Sequence, residues 1–355
     1  TDITNMVLNQ HVLTVGSDDN QSLTLTNVGS YTNSNDEDVM HSWASSTLNT
    51  DGGNSYTDDS LSILSSNTLT VGAETVTTVG LTISGTLTSS GASTYNIAGG
   101  WTNNGTFTAS TSTVNLNGTA SQTLGGTSTT AFRNLTISNT SAAITVNTNF
   151  SVSLSGTLTV NASAILSPAA DVVISGLGTL TGSGTVRVSR IATPGPDFSS
   201  QYTITNKTLT NLTVEYVGTD QQTVNGLTYG SLTISNTSAI VSASSNFSVN
   251  GTLTVNASAI LSPAASVVIS GSGTLTGSGT VKVSRTASTP DFSSQYTISN
   301  KTLTNLTVEY VGTTSQTVSA LTYGNLKINM QTTGNVRPNG NNNTLWGTYD
   351  YTNID

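Results

Sequence analysis

Charge and cysteine are both scarce in this chain. Asp, Glu, Lys and Arg make up 8% of its 355 residues, and cysteine is absent, whereas typical soluble domains contain about 25% charged residues. Without cysteine there are no disulfides and no thiolate ligands for zinc or iron–sulfur clusters. We therefore expect the fold to be stabilised by a continuous hydrogen-bonded sheet rather than by cross-links.

Basic residues are few and are not clustered. Nine Lys and Arg stand against 18 Asp and Glu, giving a formal net charge of −9. A nucleic-acid binder needs a basic patch that replaces the counterions around phosphates, so we expect no nucleic-acid partner. No apolar run approaches the roughly 18 residues that span a membrane, so we expect no membrane span. The start Thr1-Asp2-Ile3-Thr4 lacks the basic and apolar regions of a signal peptide, and we expect the chain to be a mature product.

What the chain has in abundance is Ser, Thr, Asn and Gly between short alternating apolar runs. Hydrophobic residues reach 34%, which argues against disorder. In the run from Asn211 to Gly218, the apolar Leu212, Val214 and Tyr216 share one face, a period of two that predicts a strand. Gly and Asn punctuate such runs at the spacing of turns. The sequence predicts an all-β fold, with short helices only at 198–202 or 36–44.

Long segments of the chain occur twice. The segment GTLTVNASAILSPAA at 156–170 recurs at 251–265, and the segment at 198–219 recurs almost unchanged at 292–313. A partial third copy lies at 121–140. The spacing between copies falls from 97 to 95 to 94 residues because the second copy lacks two residues of the stretch 153–155 and one residue of the stretch 193–196. We expect loops at both places.

A shorter period lies inside each copy. Gly-Thr-Leu-Thr at Gly156 returns at Gly178, 22 residues later, and the same run at Gly251 returns at Gly273. This spacing suits a β-solenoid (β-helix) built from tandem repeats of about 95 residues, in which Leu158 and Leu180 stack on adjacent coils with threonines outside. The alternative is a string of β-sandwich domains, one per copy. The shortage of large aromatics favours the solenoid, whose thin coils fill with Val, Ile and Leu.

The repeat boundaries predict five segments. Residues 1–75, which contain ten of the 18 acidic residues, are an acidic N-terminal cap or head, and 76–133 are a degenerate lead-in. Repeat 1 is 134–230 and repeat 2 is 231–329. Residues 330–355 are a C-terminal tail that is either a cap or a subunit-joining strand.

Candidates for catalysis and for metal binding are few. His11 and His41 are the two histidines, and neither lies near a Gly-x-Ser-x-Gly elbow. Glu215 and Glu309 read as solvated carboxylates or as weak ion pairs with Arg190 and Arg285. We expect no enzyme activity and no cofactor. The candidate metal site is a calcium site at Asp36, Glu37 and Asp38, since calcium prefers carboxylate oxygens, and the pairs Asp18-Asp19 and Asp58-Asp59 are further candidates.

Both ends of the chain contain apolar segments that could join subunits. Adding a strand to a neighbour's exposed sheet edge is a common mode of protein association. The predicted subunit-interface residues are Ile3, Val7, Leu8, Leu345, Trp346, Tyr349 and Tyr351. The alternative for the C-terminal group is a cap that packs on the last coil.

Several phrases resemble a known family of repeats. The segments WTNNGTFTASTSTVNLNGTASQTLGG, GTLTVNASAILSPAA, GTLTGSGTVKVSR and DFSSQYTISNKTLTNLTVEYVGT resemble the β-strand repeats of large secreted surface proteins of Gram-negative bacteria, many of them similar to type IX secretion substrates. The resemblance covers about residues 95–330. It implies an extracellular or cell-surface location and a β-rich shaft used in adhesion, gliding or matrix, and it carries over no catalytic residue.

These observations together lead to one expected function and three alternatives. We expect an extracellular structural protein, a homopolymer-forming subunit of a bacterial surface filament joined through terminal β-strands. The nearest alternative is a monomeric adhesin shaft that binds cell-surface or extracellular glycans. The outward threonines at 157, 159, 179 and 181, repeated at 252, 254, 274 and 276, also allow an ice-binding face. A polysaccharide-active β-helix is the remaining alternative.

Overall fold

The computed structural model describes side chains for residues 61–66, 68–191, 197–286 and 291–329. Outside these ranges it describes the backbone of strand segments at 6–8, 23–25, 30–33, 39–42, 46–48, 55–60, 336–338, 344–345 and 349–351. The predicted calcium ligands at 36–38 and the interface residues Ile3 and Trp346 lie outside the described residues.

Strands make up most of the described chain. In the first half they are β1 Met6–Leu8, β2 Leu23–Leu25, β3 Ser30–Asn33, β4 Val39–Ser42, β5 Ser46–Leu48, β6 Ser55–Ile63, β7 Thr68–Val71, β8 Thr75–Ile83, β9 Thr86–Ser89, β10 Thr94–Ile97, β11 Trp101–Asn103, β12 Thr106–Thr108, β13 Thr113–Leu116, β14 Gln122–Gly125, β15 Thr130–Ile137, β16 Ile144–Val146, β17 Phe150–Val160, β18 Ile165–Pro168, β19 Ile174–Ser175, β20 Thr179–Gly182, β21 Thr185–Val188 and β22 Asn206–Lys207.

The remaining strands belong to the second half. They are β23 Thr213–Tyr216, β24 Gln222–Val224, β25 Thr228–Tyr229, β26 Ser231–Ile234, β27 Val241–Ala243, β28 Phe247–Val249, β29 Thr252–Val255, β30 Ile260–Pro263, β31 Ile269–Ser270, β32 Thr274–Gly277, β33 Thr280–Val283, β34 Asn300–Lys301, β35 Thr307–Tyr310, β36 Gln316–Val318, β37 Thr322–Tyr323, β38 Asn325–Ile328, β39 Val336–Pro338, β40 Thr344–Leu345 and β41 Tyr349–Tyr351.

Two short helices interrupt the strands. They are α1 Asp197–Gln201 and α2 Asp291–Gln295, at equivalent places in the two copies. The helix predicted at 198–202 is therefore confirmed to within one residue. The helix predicted at 36–44 is wrong, because β4 occupies 39–42 and pairs in parallel with β6. Backbone pairing with the next coil decides the conformation there.

The strands form a β-solenoid of about 13 turns, which confirms the predicted fold. Each strand pairs in parallel with the strand one coil away, for example β17 with β20 and β29 with β32. The β-sandwich alternative is wrong, because sandwiches of that kind are built from antiparallel pairs. We use "column" below for a set of strands that are hydrogen-bonded one above another in successive coils.

At the repeated Gly-Thr-Leu-Thr strands the coil length is the 22 residues seen in the sequence. Leu158 lies directly opposite Leu180, and Leu253 lies directly opposite Leu275. All four leucines are fully buried, while the threonines on either side of them are half-buried or more exposed. The predicted leucine stack is therefore confirmed. Period two along each strand produces this pattern, because alternate side chains point to opposite faces.

The chain divides into two compact units. The first comprises residues 1–185 and 202–208, and the second comprises 186–201 and 209–355. In the first unit one column contains β10, β13, the second half of β15, the second half of β17, β20 and β22. Another contains β11, β14, β16 and β18, and a third contains β2, β5, β7, β9 and β12.

The second unit also has three columns. The first contains β23, β26, β29, β32 and β34. The second contains β24, β27, β30, β33, β35, β38 and β41. The third contains β25, β28 and β31, continued by an isolated bridge at Tyr296.

One repeat is not a whole number of coils. Strand β35 is the copy of β23, 94 residues later, yet β23 lies in the first column and β35 lies in the second. From β23 to β34 there are 12 strands and the bridge at Tyr296, which makes 13 positions at three per coil. Each copy therefore contains four coils and one third of another, and the next copy begins one column further on.

Large aromatic side chains fill part of the core, unlike the aliphatic core expected from composition. Phe132 and Phe150 lie on adjacent coils with their ring centroids 5.7 Å apart, and Trp101 lies 5.0 Å from Phe107. In the second unit Tyr229 lies 6.1 Å from Phe247. Edge-to-face rings at this spacing are favourable. The chain has few aromatics, but it concentrates them inside.

The loop predicted at 153–155 is an outward bulge within a strand. The register of β15 with β17 shifts between Phe132 and Asn134, so that the extra residues are not opposite any residue of β15. Leu154 is 65% exposed, and Ser155 has a positive φ of 62°. Backbone on both sides of the bulge keeps its pairing, which is why the segment remains a strand. The loop predicted at 193–196 lies outside the described residues.

Candidate functional site

Uncharged polar side chains form hydrogen-bonded ladders on the outside of the coils. In the first unit Asn115 Nδ2 donates to Asn96 Oδ1 at 3.3 Å, Ser138 Oγ donates to Asn115 Oδ1 at 2.8 Å, and Asn161 Nδ2 donates to Ser138 Oγ at 3.0 Å. Each bond links neighbouring coils. The uncharged polar residues that are abundant in the sequence thus also hydrogen-bond neighbouring coils to one another.

Three charged residues of the second unit form a short ladder on its second column. Glu309 is 5% exposed and lies between two lysines, with Lys282 Nζ at 3.8 Å and Lys327 Nζ at 3.4 Å from its carboxylate oxygens. Asn329 Nδ2 donates to Glu309 Oε1 at 2.9 Å. We call Lys282, Glu309 and Lys327 the charge ladder. A nearly buried carboxylate with three donors around it is well compensated.

The equivalent carboxylate in the first copy has a different environment. Glu215 pairs with Arg187, whose Nε lies 2.9 Å from Glu215 Oε2, and Ser235 Oγ donates to Glu215 Oε1 at 2.7 Å. Arg187 and Lys282 are therefore the partners of Glu215 and Glu309, and the predicted pairs with Arg190 and Arg285 are wrong. Strand register explains why Glu309 pairs with Lys282 and not with Arg285, because Lys282 is directly opposite Glu309 on adjacent strands.

A buried glutamine organises one corner of each copy. Gln222 is 1% exposed, and its Oε1 accepts from the Gly218 backbone N–H at 2.8 Å. Its Nε2 donates to the carbonyls of Val188 at 2.9 Å and Arg190 at 3.0 Å, one coil away. Asn236 Nδ2 also donates to Gln222 Oε1 at 3.3 Å. The amide therefore satisfies backbone groups on two coils at a corner where the strand ladder is interrupted.

The same corner occurs three times, and sequence analysis missed it. Gln122 bonds to Gly118, Ile97 and Gly99, and Gln316 bonds to Gly312, Val283 and Arg285, in the same manner. A glycine is needed four residues before each glutamine, since a Cβ on Gly218 would lie 2.5 Å from Gln222 Cδ. The phrase Gly-Thr-x-x-Gln-Thr at 118, 218 and 312 is the signal that could have identified it.

Each helix places a buried carboxylate against the backbone of a later strand, β24 for α1 and β36 for α2. Asp197 and Asp291, the first residues of α1 and α2, are 1% and 0% exposed. Asp197 Oδ2 accepts from the Thr223 backbone N–H at 2.5 Å, and Asp291 Oδ2 accepts from the Thr317 N–H at 2.6 Å. These carboxylates act as structural acceptors for strand backbone, which is a common role of buried acidic groups.

Buried tyrosines have perturbed acidity. Desolvation raises the pKa of Tyr95 to about 12. It also raises the pKa values of Tyr202, Tyr216, Tyr229, Tyr296, Tyr310 and Tyr323 above the ordinary value. Tyr323 Oη donates to the Ser319 carbonyl at 2.8 Å, and Tyr310 Oη accepts from the Ser319 N–H at 3.1 Å. The hydroxyls of Tyr310 and Tyr323 thus hydrogen-bond to backbone groups, and burial favours their protonated form.

One lysine in each copy lies over a turn. Lys207 Nζ donates to the Ile204 carbonyl at 2.6 Å, and Lys301 Nζ donates to the Ile298 carbonyl at 2.6 Å. Partial burial lowers the pKa of both ammonium groups. Each lysine thus stabilises the turn that leads into its own short strand, β22 or β34.

The predicted interface residues that are described lie in paired strands. Val7 and Leu8 belong to β1, which pairs with β3. Leu345 belongs to β40 and is opposite Tyr323, while Tyr349 and Tyr351 belong to β41 and are opposite Leu326 and Ile328. Their role in joining subunits stays a prediction.

Within the described residues no group of three or more His, Cys, Asp or Glu side chains lies close enough to hold a metal ion. No helix in the same part of the chain is long and apolar enough to cross a membrane. His41 lies in β4, opposite Ser62. Comparison with known proteins gives no match to any family model, curated protein or solved structure.

Proposed function

We propose that this chain is an extracellular structural protein, a subunit of a bacterial surface filament that is joined to further copies through terminal β-strands. Its role would be mechanical, with load carried by backbone hydrogen bonds along the coils and by the polar ladders between them. The low charge of the chain would weaken electrostatic repulsion between neighbouring subunits. The repeat phrases that resemble secreted surface proteins support the extracellular location.

The observation that carries the proposal is the outermost coil of the second unit. Strands β39, β40 and β41 each pair with one strand of the preceding coil, and each is the last strand of its sheet among the described residues. A row of unpaired N–H and C=O groups on a strand edge is a ready site for another strand. A structural protein that polymerises would use such an edge.

Electron microscopy of the purified native material tests the proposal. Polymers of uniform width support it, and single particles at all concentrations contradict it. Removal of residues 335–355 is the matched variant, since it deletes the outermost coil. If that coil joins subunits, the variant remains folded and monomeric. If the coil is only a cap, the variant loses its folded core instead.

A monomeric adhesin shaft is the nearest rival. It would share the coils and their neutral surface but would bind glycans without assembling. Sedimentation of the full chain together with a glycan-binding screen separates the two functions. A concentration-independent monomer that retains a glycan identifies the adhesin.

Ice binding is less well supported by the geometry of the repeats. In the second unit the paired threonines 252, 254, 274 and 276 lie in the first column, but the copy that follows continues in the second column. The repeats thus do not build one long flat threonine face. For the polysaccharide-active alternative, release of oligosaccharides on incubation with polysaccharides is the deciding result.

A further inference from the structure

The charge ladder leads directly to the outermost strand of the second unit. Lys282 is opposite Glu309, Glu309 is opposite Lys327, and Lys327 is opposite Asp350 in β41. Four successive coils therefore carry alternating positive and negative residues at one register position. Oppositely charged residues directly opposite each other in a sheet favour that pairing, and like charges disfavour it.

The lysine at the end of the ladder is specific to the last copy. Its equivalent in the preceding copy is Thr233, which lies opposite Glu215 in the same relation that Lys327 has to Glu309. The side chain of Lys327 is 35% exposed and lies 3.4 Å from Glu309. Lys327 is thus present in the copy where an acidic residue, Asp350, lies opposite on the next strand. In the earlier copy, where no acidic residue lies opposite on the next strand, the same position is Thr233.

Apolar positions on β38 complete the match. Leu326 and Ile328 are 6% and 3% exposed, and they lie opposite Tyr349 and Tyr351. The edge of β38 thus offers an apolar, a basic and an apolar position in succession. The segment Tyr349-Asp350-Tyr351 presents an aromatic, an acidic and an aromatic residue in the same order.

We propose that the edge of β38 is a docking site for the strand Tyr349–Tyr351 of a second copy of this chain, with Lys327 selecting the register through Asp350. This inference rests on the proposed function and adds a second joining surface, the edge of β38 that is freed when the chain's own β41 leaves it. The strand makes the same contacts whether it comes from its own chain or from another, so exchange costs little. A strand of three residues is also held by few backbone bonds and opens readily.

Cysteine trapping tests the exchange directly, because the chain has no cysteine of its own. Two single variants, Lys327→Cys and Asp350→Cys, are purified separately, mixed and oxidised. Opposite residues in a sheet have Cα atoms about 5 Å apart, within the range that a disulfide spans. We expect disulfide-linked heterodimers, and none when Thr276→Cys, in the first column, replaces Lys327→Cys. Absence of heterodimers above this control, with an intrachain disulfide in the double variant, overturns the docking site.

A second test leaves the chain unmodified. A peptide of residues 344–355 should slow polymer growth of the full chain, and the Asp350→Lys peptide should need at least a threefold higher concentration for the same effect. Equal potency of the two peptides overturns the role of Lys327. If the chain polymerises but neither test detects exchange, only this inference fails. If the chain never polymerises, the proposed filament function fails.

Discussion

At the scale of single residues, the buried polar groups have backbone partners on more than one coil. Gln222 is the clearest case, since its one amide bonds to three backbone groups, two of them a coil away. A buried donor or acceptor that loses its partner costs about 1–3 kcal/mol. These residues therefore have a larger effect on stability than their small number suggests.

Replacement of Gln222 tests this role. We expect Gln222→Ala to lower the free energy of unfolding by at least about 2 kcal/mol, because the Gly218 N–H and the Arg190 carbonyl each lose a partner. Its exposed neighbour supplies the control, and Gln221→Ala should change stability by no more than about 0.5 kcal/mol. Denaturant unfolding followed by circular dichroism measures both. Equal effects of the two variants would show that the corner amide is dispensable.

Seven buried tyrosines make stability sensitive to alkaline pH. Burial raises each folded-state pKa above the unfolded value of about 10. The folded state then holds protons that the unfolded state releases, so stability is complete below pH 10 and falls as pH rises above it. Each such tyrosine contributes a slope of about 1.4 kcal/mol per pH unit. Lys207 and Lys301 have lowered pKa values, an effect of opposite sign, but they are two partly exposed groups.

We therefore expect the protein to unfold cooperatively at alkaline pH, above pH 10, since the destabilising slopes of the tyrosines with raised pKa values add within each unit. Tyrosinate absorbance and circular dichroism should change together in one transition. Gradual ionisation near pH 10 with the strand signal intact would contradict the account.

At the scale of elements, the strands are too short to be stable singly, and each depends on the coil beside it. A coil supplies one strand to each of three columns, so a whole coil is interchangeable with its neighbours while a fraction of a coil is not. Leu253 and Leu275, one coil apart, have the same flanking threonines and the same burial.

Deletion of one coil tests this interchangeability. Removing residues 252–273 joins Gly251 to Thr274 and brings β26 against β32, whose first three residues match those of the lost β29. We expect a folded protein with an unchanged strand signal per residue. Removing only 252–262 brings strands of different columns together, and we expect loss of cooperative unfolding. Similar behaviour of the two deletions would show that the 22-residue period does not define a coil.

Much of the element-scale structure was predictable from the sequence because it is local. Alternation of apolar residues identified the inward face of each strand, and the 22-residue recurrence identified which leucines stack. The corner at Gln222 was not predicted, because its partners Val188 and Arg190 are distant in sequence and are contacted through their backbone. The ion pairs were assigned to the wrong arginines for a related reason, since only the register shows that Lys282 is opposite Glu309.

At the scale of the whole molecule, the repeat and the coil have different lengths. The sequence shows a 94-residue repeat and a 22-residue period, and the repeat is not a whole multiple of the period. Features that recur in each copy consequently lie in successive columns. The aromatic core was also unforeseen, because composition reports how many aromatics there are and not where they lie.

The most direct test of this account is disulfide trapping of Glu309 against two candidate neighbours. If each copy advances by one column, Glu309 lies beside Lys282, and the double variant Lys282→Cys/Glu309→Cys forms an intrachain disulfide readily without loss of stability. A repeat of whole coils would instead place Glu309 in the first column, near Thr276. Efficient cross-linking of Thr276→Cys/Glu309→Cys, with none between positions 282 and 309, would contradict the account.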